Sequence, residues 1–366
     1  MKKNKLRITV TLALTAFASL LCSGCWYIEQ ASGYLSDRFS AVPLPRYVQK
    51  HEDDAELKAL YQSTKEVRDF AVNELGLKPT KNYTSIVQNT KGYVATVVSA
   101  CASDSFERYQ WNYPFVGKMP YRGFYDTDKA KKLAADLKQQ GYDVFVRNVE
   151  AFSSLGYFTD PLYSFMKTYP EDEIAELIIH ESVHTTLYVK GDPQFSEEFA
   201  TFVGRKAALL YIRKKYGNDS PLILHREDLE HDQKLFVDFL KETARQLEAV
   251  YSDTSLTREE KLTHKAEIIQ SRAIEYAGTY SAELRIEGYR KFSMAGINNA
   301  YIDLYRLYEE DLSLYETWLT EKCGGNLKAF IEDMKKLAKE YGKDIKAGMR
   351  KELAEVSFRA KESIQL

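Results

Sequence analysis

From Asp53 to Leu75 apolar residues recur at three- and four-residue steps (Leu57, Leu60, Val67, Phe70, Ala71, Leu75), the spacing of one helical face. Gly76 and Pro79 stand where such a helix stops. The texture then changes. Between Tyr83 and Val98, β-branched and aromatic residues dominate, as in Ser85-Ile86-Val87 and Tyr93-Val94-Ala95-Thr96-Val97-Val98, and predict strands. Tyr109 to Phe115 is expected to extend that sheet, Asp128 to Gln140 to be helical, and Asp143 to Val149, after Gly141, to form another strand. Pro161, Pro170 and the acidic run Glu171-Asp172-Glu173 lead into a helix predicted to run to Val189, since proline and carboxylates suit a helix's first turn. Ser196, beyond Gly191-Asp192-Pro193, offers an N-cap for a second helix reaching about Tyr216. The strongest break is Tyr216-Gly217-Asn218-Asp219-Ser220-Pro221. Past it, long charged amphipathic stretches at Asp228–Tyr251, Arg258–Gly278 and Asn326–Lys361 read as helices, and no repeat of fixed period is present.

This order predicts an α+β fold: a small mixed or antiparallel sheet packed on the helix over residues 171–189, followed by a mostly α-helical C-terminal region. The expected division is an α+β region at 53–217 and a helical region at 218–366 packed on it. With 366 residues the chain can bury a core without disulfides. A net charge of −2, with Lys and Arg spread among Asp and Glu, gives no basic footprint for nucleic acid. The 26 tyrosines suit an amphipathic surface or a groove that binds extended chains.

Lys2, Lys3, Lys5 and Arg7 precede an apolar run, Ile8 to Leu21, too short to span a bilayer comfortably, so residues 1–24 read as a targeting segment. Cys22-Ser23-Gly24-Cys25 resembles a bacterial lipoprotein processing site, which implies acylation at Cys25; Cys22 stands where such sites usually carry Leu. An ordinary cleaved signal peptide is the alternative. Either way export is expected, with residues 25–52 as anchor and tether to the membrane through N-terminal lipid. Trp26 in place of the Asp that typically signals inner-membrane retention favours the periplasmic side of the outer membrane. Cys101 and Cys323 remain, in a compartment where they could pair or stay as buried thiols.

Residues His180-Glu181-Ser182-Val183-His184 spell HExxH within a helical pattern. Four-residue spacing turns both imidazoles to one side of a helix, where they can reach one small cation, Zn²⁺ by this donor set. Glu181 then supplies a base for water activated there. A third protein ligand is needed, and Glu197 and Glu198 are adjacent candidates about 100° apart on a helix, so only one can face the metal.

Phe195-Ser196-Glu197-Glu198-Phe199-Ala200 resembles the Asn-Glu-x-Phe-Ala stretch of gluzincin peptidases, which implies Glu197 as the ligand; Ser196 and Thr201 depart from that pattern. More widely, Tyr121-Arg122-Gly123-Phe124-Tyr125, Ser154-Leu155-Gly156-Tyr157-Phe158, the HESVH segment, Val189-Lys190-Gly191-Asp192 and Ile297-Asn298-Asn299-Ala300 resemble a family of bacterial zinc aminopeptidase lipoproteins. That resemblance implies a gluzincin-like zinc peptidase acting on peptides or unfolded proteins, with Glu181 as general base and acid. Substrate would pair with the edge of the Asp143–Tyr157 stretch, and Tyr157, Tyr188, Tyr301 and His225 are candidates for the oxyanion donor. The Gly-x-Met-Glu-Asn stretch that one aminopeptidase family uses to hold the free α-amine is absent. The alternative is a non-catalytic envelope lipoprotein with a structural zinc site and a helical partner-binding half; a third reading is a peptidase restricted to itself or one partner.

Overall fold

The computed structural model describes residue 33 and residues 35–113, 117–150, 159–307 and 312–364. The lipidation candidate Cys25 and the Ser154–Phe158 stretch, with Tyr157, lie outside these residues. The fold is α+β and mostly helical, with small sheets. In chain order it begins with β1 (Val42–Pro43), α1 (Leu44–Lys50), α2 (Ala55–Asn73), β2 (Ser85–Val87) and β3 (Ala95–Ala102). A hairpin of β4 (Trp111–Tyr113) and β5 (Gly117–Met119) follows, then β6 (Tyr121–Phe124), α3 (Thr127–Gln139), β7 (Tyr142–Val149) and β8 (Leu162–Tyr163). The remainder is helical: α4 (Glu171–Thr186), α5 (Pro193–Tyr216), α6 (Pro221–Ser252), α7 (Arg258–Gly278), α8 (Glu287–Arg290), α9 (Asn299–Leu307), α10 (Ser313–Glu321), α11 (Leu327–Tyr341) and α12 (Ile345–Ile364).

Local chemistry sets these boundaries. The Asp54 carboxylate accepts from the Leu57 amide at 2.9 Å and caps α2. Thr257 and Glu260 cap α7 reciprocally. Helix α5 starts earlier than Ser196: Asp192 accepts from the Phe195 amide at 2.9 Å and Pro193 fills the first helical turn. Ser196 lies inside the helix instead, where its hydroxyl donates to the Asp192 carbonyl and accepts from the Val189 amide. The stretch expected as one helix over Asn326–Lys361 is broken at Gly342, whose φ of 54° no helical residue adopts. Residues 111–113 and 117–119 form their own two-stranded sheet, so the described part of Tyr109–Phe115 does not continue the main one as a strand; Tyr109 meets that sheet through its amide, which donates to the Ala100 carbonyl, and through its ring, 5.3 Å from that of Tyr142.

Two three-stranded sheets divide the β content. The antiparallel sheet, order β6-β3-β7, packs on α3 and α9. The other, β1-β2-β8, is mixed: β1 runs antiparallel and β8 parallel to β2. The mixed sheet shares the core of the HExxH helix, Ile86, Val87 and Leu162 being buried together with Ile178, Ile179 and Val183 of α4. The expectation of one sheet on that helix therefore holds for the smaller sheet, while the larger one has its own core with α3. Helix α4 packs chiefly on α5 and then on α2. Phe195 and Phe199 of α5 stack at 5.7 Å between centroids and meet Tyr315 and Phe330 from α10 and α11. Each such ring contributes roughly 1.5–3 kcal/mol by leaving water. A third core joins α6, α7 and α9 around Phe236, Phe239 and Tyr276. Cys101 and Cys323 are both free thiols. No helix among the described residues is long and apolar enough to cross a membrane.

Candidate metal centre and its two flanking clefts

Helices α4 and α5 carry the site and approach closely because Gly204 faces α4. A Cβ there would lie 3.3 Å from both the Glu176 carbonyl oxygen and the His180 Cβ. At that level His180 and His184 stand one turn apart on α4, and Glu197 projects from the first turns of α5. The two Nε2 atoms are 3.1 Å apart, and Glu197 oxygens lie 3.6 Å from His180 and 3.5 Å from His184. Among the described residues this is the group of His, Cys, Asp and Glu side chains gathered tightly enough to share an ion, with ligand atoms all within 4.8 Å.

A zinc ion with bonds of about 2.0–2.1 Å places tetrahedral ligand atoms about 3.3 Å apart, close to the 3.1 Å between the imidazole nitrogens and to the 3.6 and 3.5 Å from each imidazole to its nearer Glu197 oxygen, Oε2 for His180 and Oε1 for His184. Two imidazole nitrogens facing each other beside a carboxylate need a proton or a cation between them. Burial opposes protonation of His180, but its contact with Glu197 and the charges of Glu181, Glu197 and Glu176 outweigh that and raise its pKa. Hydrogen bonds from His180 and His184 hold the Glu197 carboxyl down at about 2. The donor set thus fits Zn²⁺, with three protein ligands. The other ring nitrogen of His184, Nδ1, is buried with no hydrogen-bond partner among the described residues.

Glu198 is turned away. It is 1% exposed and accepts from Lys346 at 2.6 Å, Tyr315 at 2.9 Å and Gln194 at 2.9 Å, tying α5 to α10 and α12. Glu181 lies beside His180 in the wall of a cleft of about 390 Å³ that also takes Glu150, Glu173, Glu176 and Tyr169. Glu176 is paired with Arg226, which also reaches buried Asp172 at 3.4 Å. Burial and the neighbouring Asp172 charge raise the Glu173 pKa, against the pull of His225 and Arg226. Glu173 and Glu176 were legible as site residues, since they precede His180 by seven and four positions and so share its helical face. In the sequence the acidic run Glu171-Asp172-Glu173 signals only a helix start. Tyr83, also missed, is a buried residue with φ 61°, near enough to Glu181 for that charge to help raise its pKa, after burial itself.

The oxyanion candidates separate. The Tyr188 ring lies 6.3 Å from that of His184. Tyr301 is buried against Phe145 at 4.9 Å in the core of α6, α7 and α9 and does not line the cleft. The Nδ1 of His225, on α6, is buried with no hydrogen-bond partner among the described residues, and its ring is close enough to Glu173 to oppose the rise in that carboxyl's pKa. Among the described residues, strand β7 is an edge of its sheet and pairs with β3 alone.

With this geometry in view, the comparison with known families is decisive at one level: the family model described as Putative aminopeptidase matches residues 25–348. The chain belongs to this family. The match spans the triad, Glu181 and both helices that carry them, and the aminopeptidase name suggests a peptidase. No curated protein and no solved structure matches the chain.

Proposed function

We propose that this protein is a zinc-dependent peptidase of the bacterial cell envelope, acting as an aminopeptidase. The observation that supports it most is the convergence of His180, His184 and Glu197 beside a cleft in whose wall Glu181 stands. Zinc bound by those three side chains would supply Lewis acidity, polarising a scissile carbonyl and lowering the pKa of water. Glu181 takes the proton from the attacking water and delivers it to the leaving amine. Glu197, held ionised, keeps both imidazoles turned toward one point. A site that only held structure would close all four positions with protein donors, whereas three are gathered among the described residues and the cleft adjoins them. The envelope location rests on the sequence of the first 25 residues, with Cys25 as the acylated residue.

The test measures zinc content and peptide cleavage in parallel. Wild type should carry one zinc and release N-terminal residues from a peptide mixture, read by mass spectrometry. Glu181→Gln should keep the metal and lose turnover by roughly 10²-fold or more. Full zinc with no cleavage in either protein would sink the enzyme reading. Loss of [³H]palmitate incorporation and of membrane association on Cys25→Ala tests the anchor.

A further inference from the structure

Beyond His184, the C-terminal end of α4 opens into a second cleft, of about 540 Å³. Its wall includes Thr186, Tyr188 and four lysines, Lys78, Lys190, Lys335 and Lys339, and no carboxylate. Lys335 bonds Glu332 and the Gly76 carbonyl; Lys78, Lys190 and Lys339 have no ion-pair partner among the described residues. They come from three separate parts of the chain, so this concentration of charge is a product of the fold. A helix C-terminus carries only about half a negative charge, which the three ammonium groups without an ion-pair partner among the described residues far exceed. Tyr188 joins this cleft to the triad through its ring contact with His184.

The cleft on the His180 side is opposite in sign, lined by Glu150, Glu173, Glu176 and Glu181. The face of α4 therefore runs from negative, two turns before His180, through the triad, to positive just after His184. A peptide is itself polar in this sense, with an ammonium at its start and a carboxylate at its end. We infer that the lysine cleft is an anion subsite that receives a peptide carboxylate on the leaving-group side of the scissile bond; this rests on the peptidase reading above. About two or three extended residues, each rising about 3.3 Å, carry a carboxylate from the triad past Tyr188 into the lysines. The substrate class is short peptides with a free C-terminus or an acidic side chain at that distance, lying with the N-terminus over the glutamates.

The experiment uses zinc-loaded Glu181→Gln protein, so that binding is read without turnover, and tetrapeptides ending in a free acid or in an amide. The free acid should bind about tenfold more tightly or better, the worth of a charge-assisted contact. That preference should collapse to within about twofold in the Lys78→Met/Lys190→Met/Lys339→Met variant and shrink between about 50 and 500 mM salt. All three lysines are exposed, so the variant keeps the fold, which its melting temperature checks. An amide carrying Asp near its end that regains the affinity assigns the carboxylate to a side chain; one that does not assigns it to the C-terminus. Equal binding of acid and amide, or a preference that survives the triple substitution, overturns the subsite. Carboxylate preference with no cleavage by wild type would sink the peptidase reading and leave the subsite standing, and cleavage without the preference would do the reverse.

Discussion

The adjacent carboxylates Glu197 and Glu198 have opposite roles, and removing Lys346 exposes the difference. Glu198 is 1% exposed and, among the described residues, its charge is met by one cation, Lys346 at 2.6 Å, with hydrogen bonds from Tyr315 and Gln194. Removing one partner of a buried pair costs about 3–5 kcal/mol, because the other charge stays buried without compensation. The Lys346 side chain is 24% exposed, so water enters the space it leaves and the expected loss for Lys346→Met is about 3 kcal/mol, the lower end. Tyr315→Phe, which removes a neutral donor, should cost about 1–2 kcal/mol. In the Lys346→Met/Glu198→Gln double variant no charge is stranded, and most of the loss should return. Urea unfolding of the chelator-treated chain, followed by tryptophan fluorescence and far-ultraviolet circular dichroism, reads all four proteins without a metal contribution. The reasoning is refuted if Lys346→Met loses less than about 1 kcal/mol or the double variant is no more stable than the single one. Glu197→Gln, half-exposed, should instead change unfolding little and weaken zinc binding sharply.

Gly204→Val should cost about 1–3 kcal/mol by overpacking and loosen zinc, because the added atoms push α5 and its Glu197 away from the His180 backbone; competition with a chromophoric chelator measures it. The Glu66–Lys215–Glu171 cluster predicts an acid-side stability loss. Lys215 lowers the Glu66 pKa, and at Glu171 burial pushes upward but hydrogen bonds from Lys215, Tyr216 and Tyr211 prevail and lower it. Both carboxyls therefore stabilise the fold above their unfolded value near 4.5, and that contribution disappears as pH falls through their depressed folded values. Lys215→Met should flatten the melting temperature against pH below 4.5; an unchanged slope would refute the assignment. Thiol titration in denaturant without reductant should find Cys101 and Cys323 both reactive, and a shortfall would mean that they pair.

The HExxH helix and its partner were readable because their information is local: spacing places two imidazoles on one face, and Gly217 after Tyr216 ends the second helix. Glu197 needed a resemblance in the sequence, since adjacent glutamates are indistinguishable until a partner such as Lys346, 148 positions away from Glu198, claims one of them. The choice of Ser196 as N-cap failed because two cap-forming residues compete, and Asp192 followed by Pro193 is the better start. Gly342 was overlooked as a break because the apolar pattern continues across it; only its positive φ stops the helix. The lysine cleft could not be read at all. Its members lie at positions 78, 190, 335 and 339, and no periodicity links residues brought together by tertiary packing.

The core around α4 draws on residues from Leu44 to Leu353, nearly the whole described chain. Contacts of such sequence separation form late, after the intervening loops have paid their closure entropy. Helix α5, which carries Glu197, completes its packing only when α10, α11 and α12 have docked on it. A nascent or truncated chain holds the complete HExxH motif without the wall that seats Glu198, and so without a fixed Glu197. An unfinished chain therefore has the motif and lacks the fixed third side chain beside it.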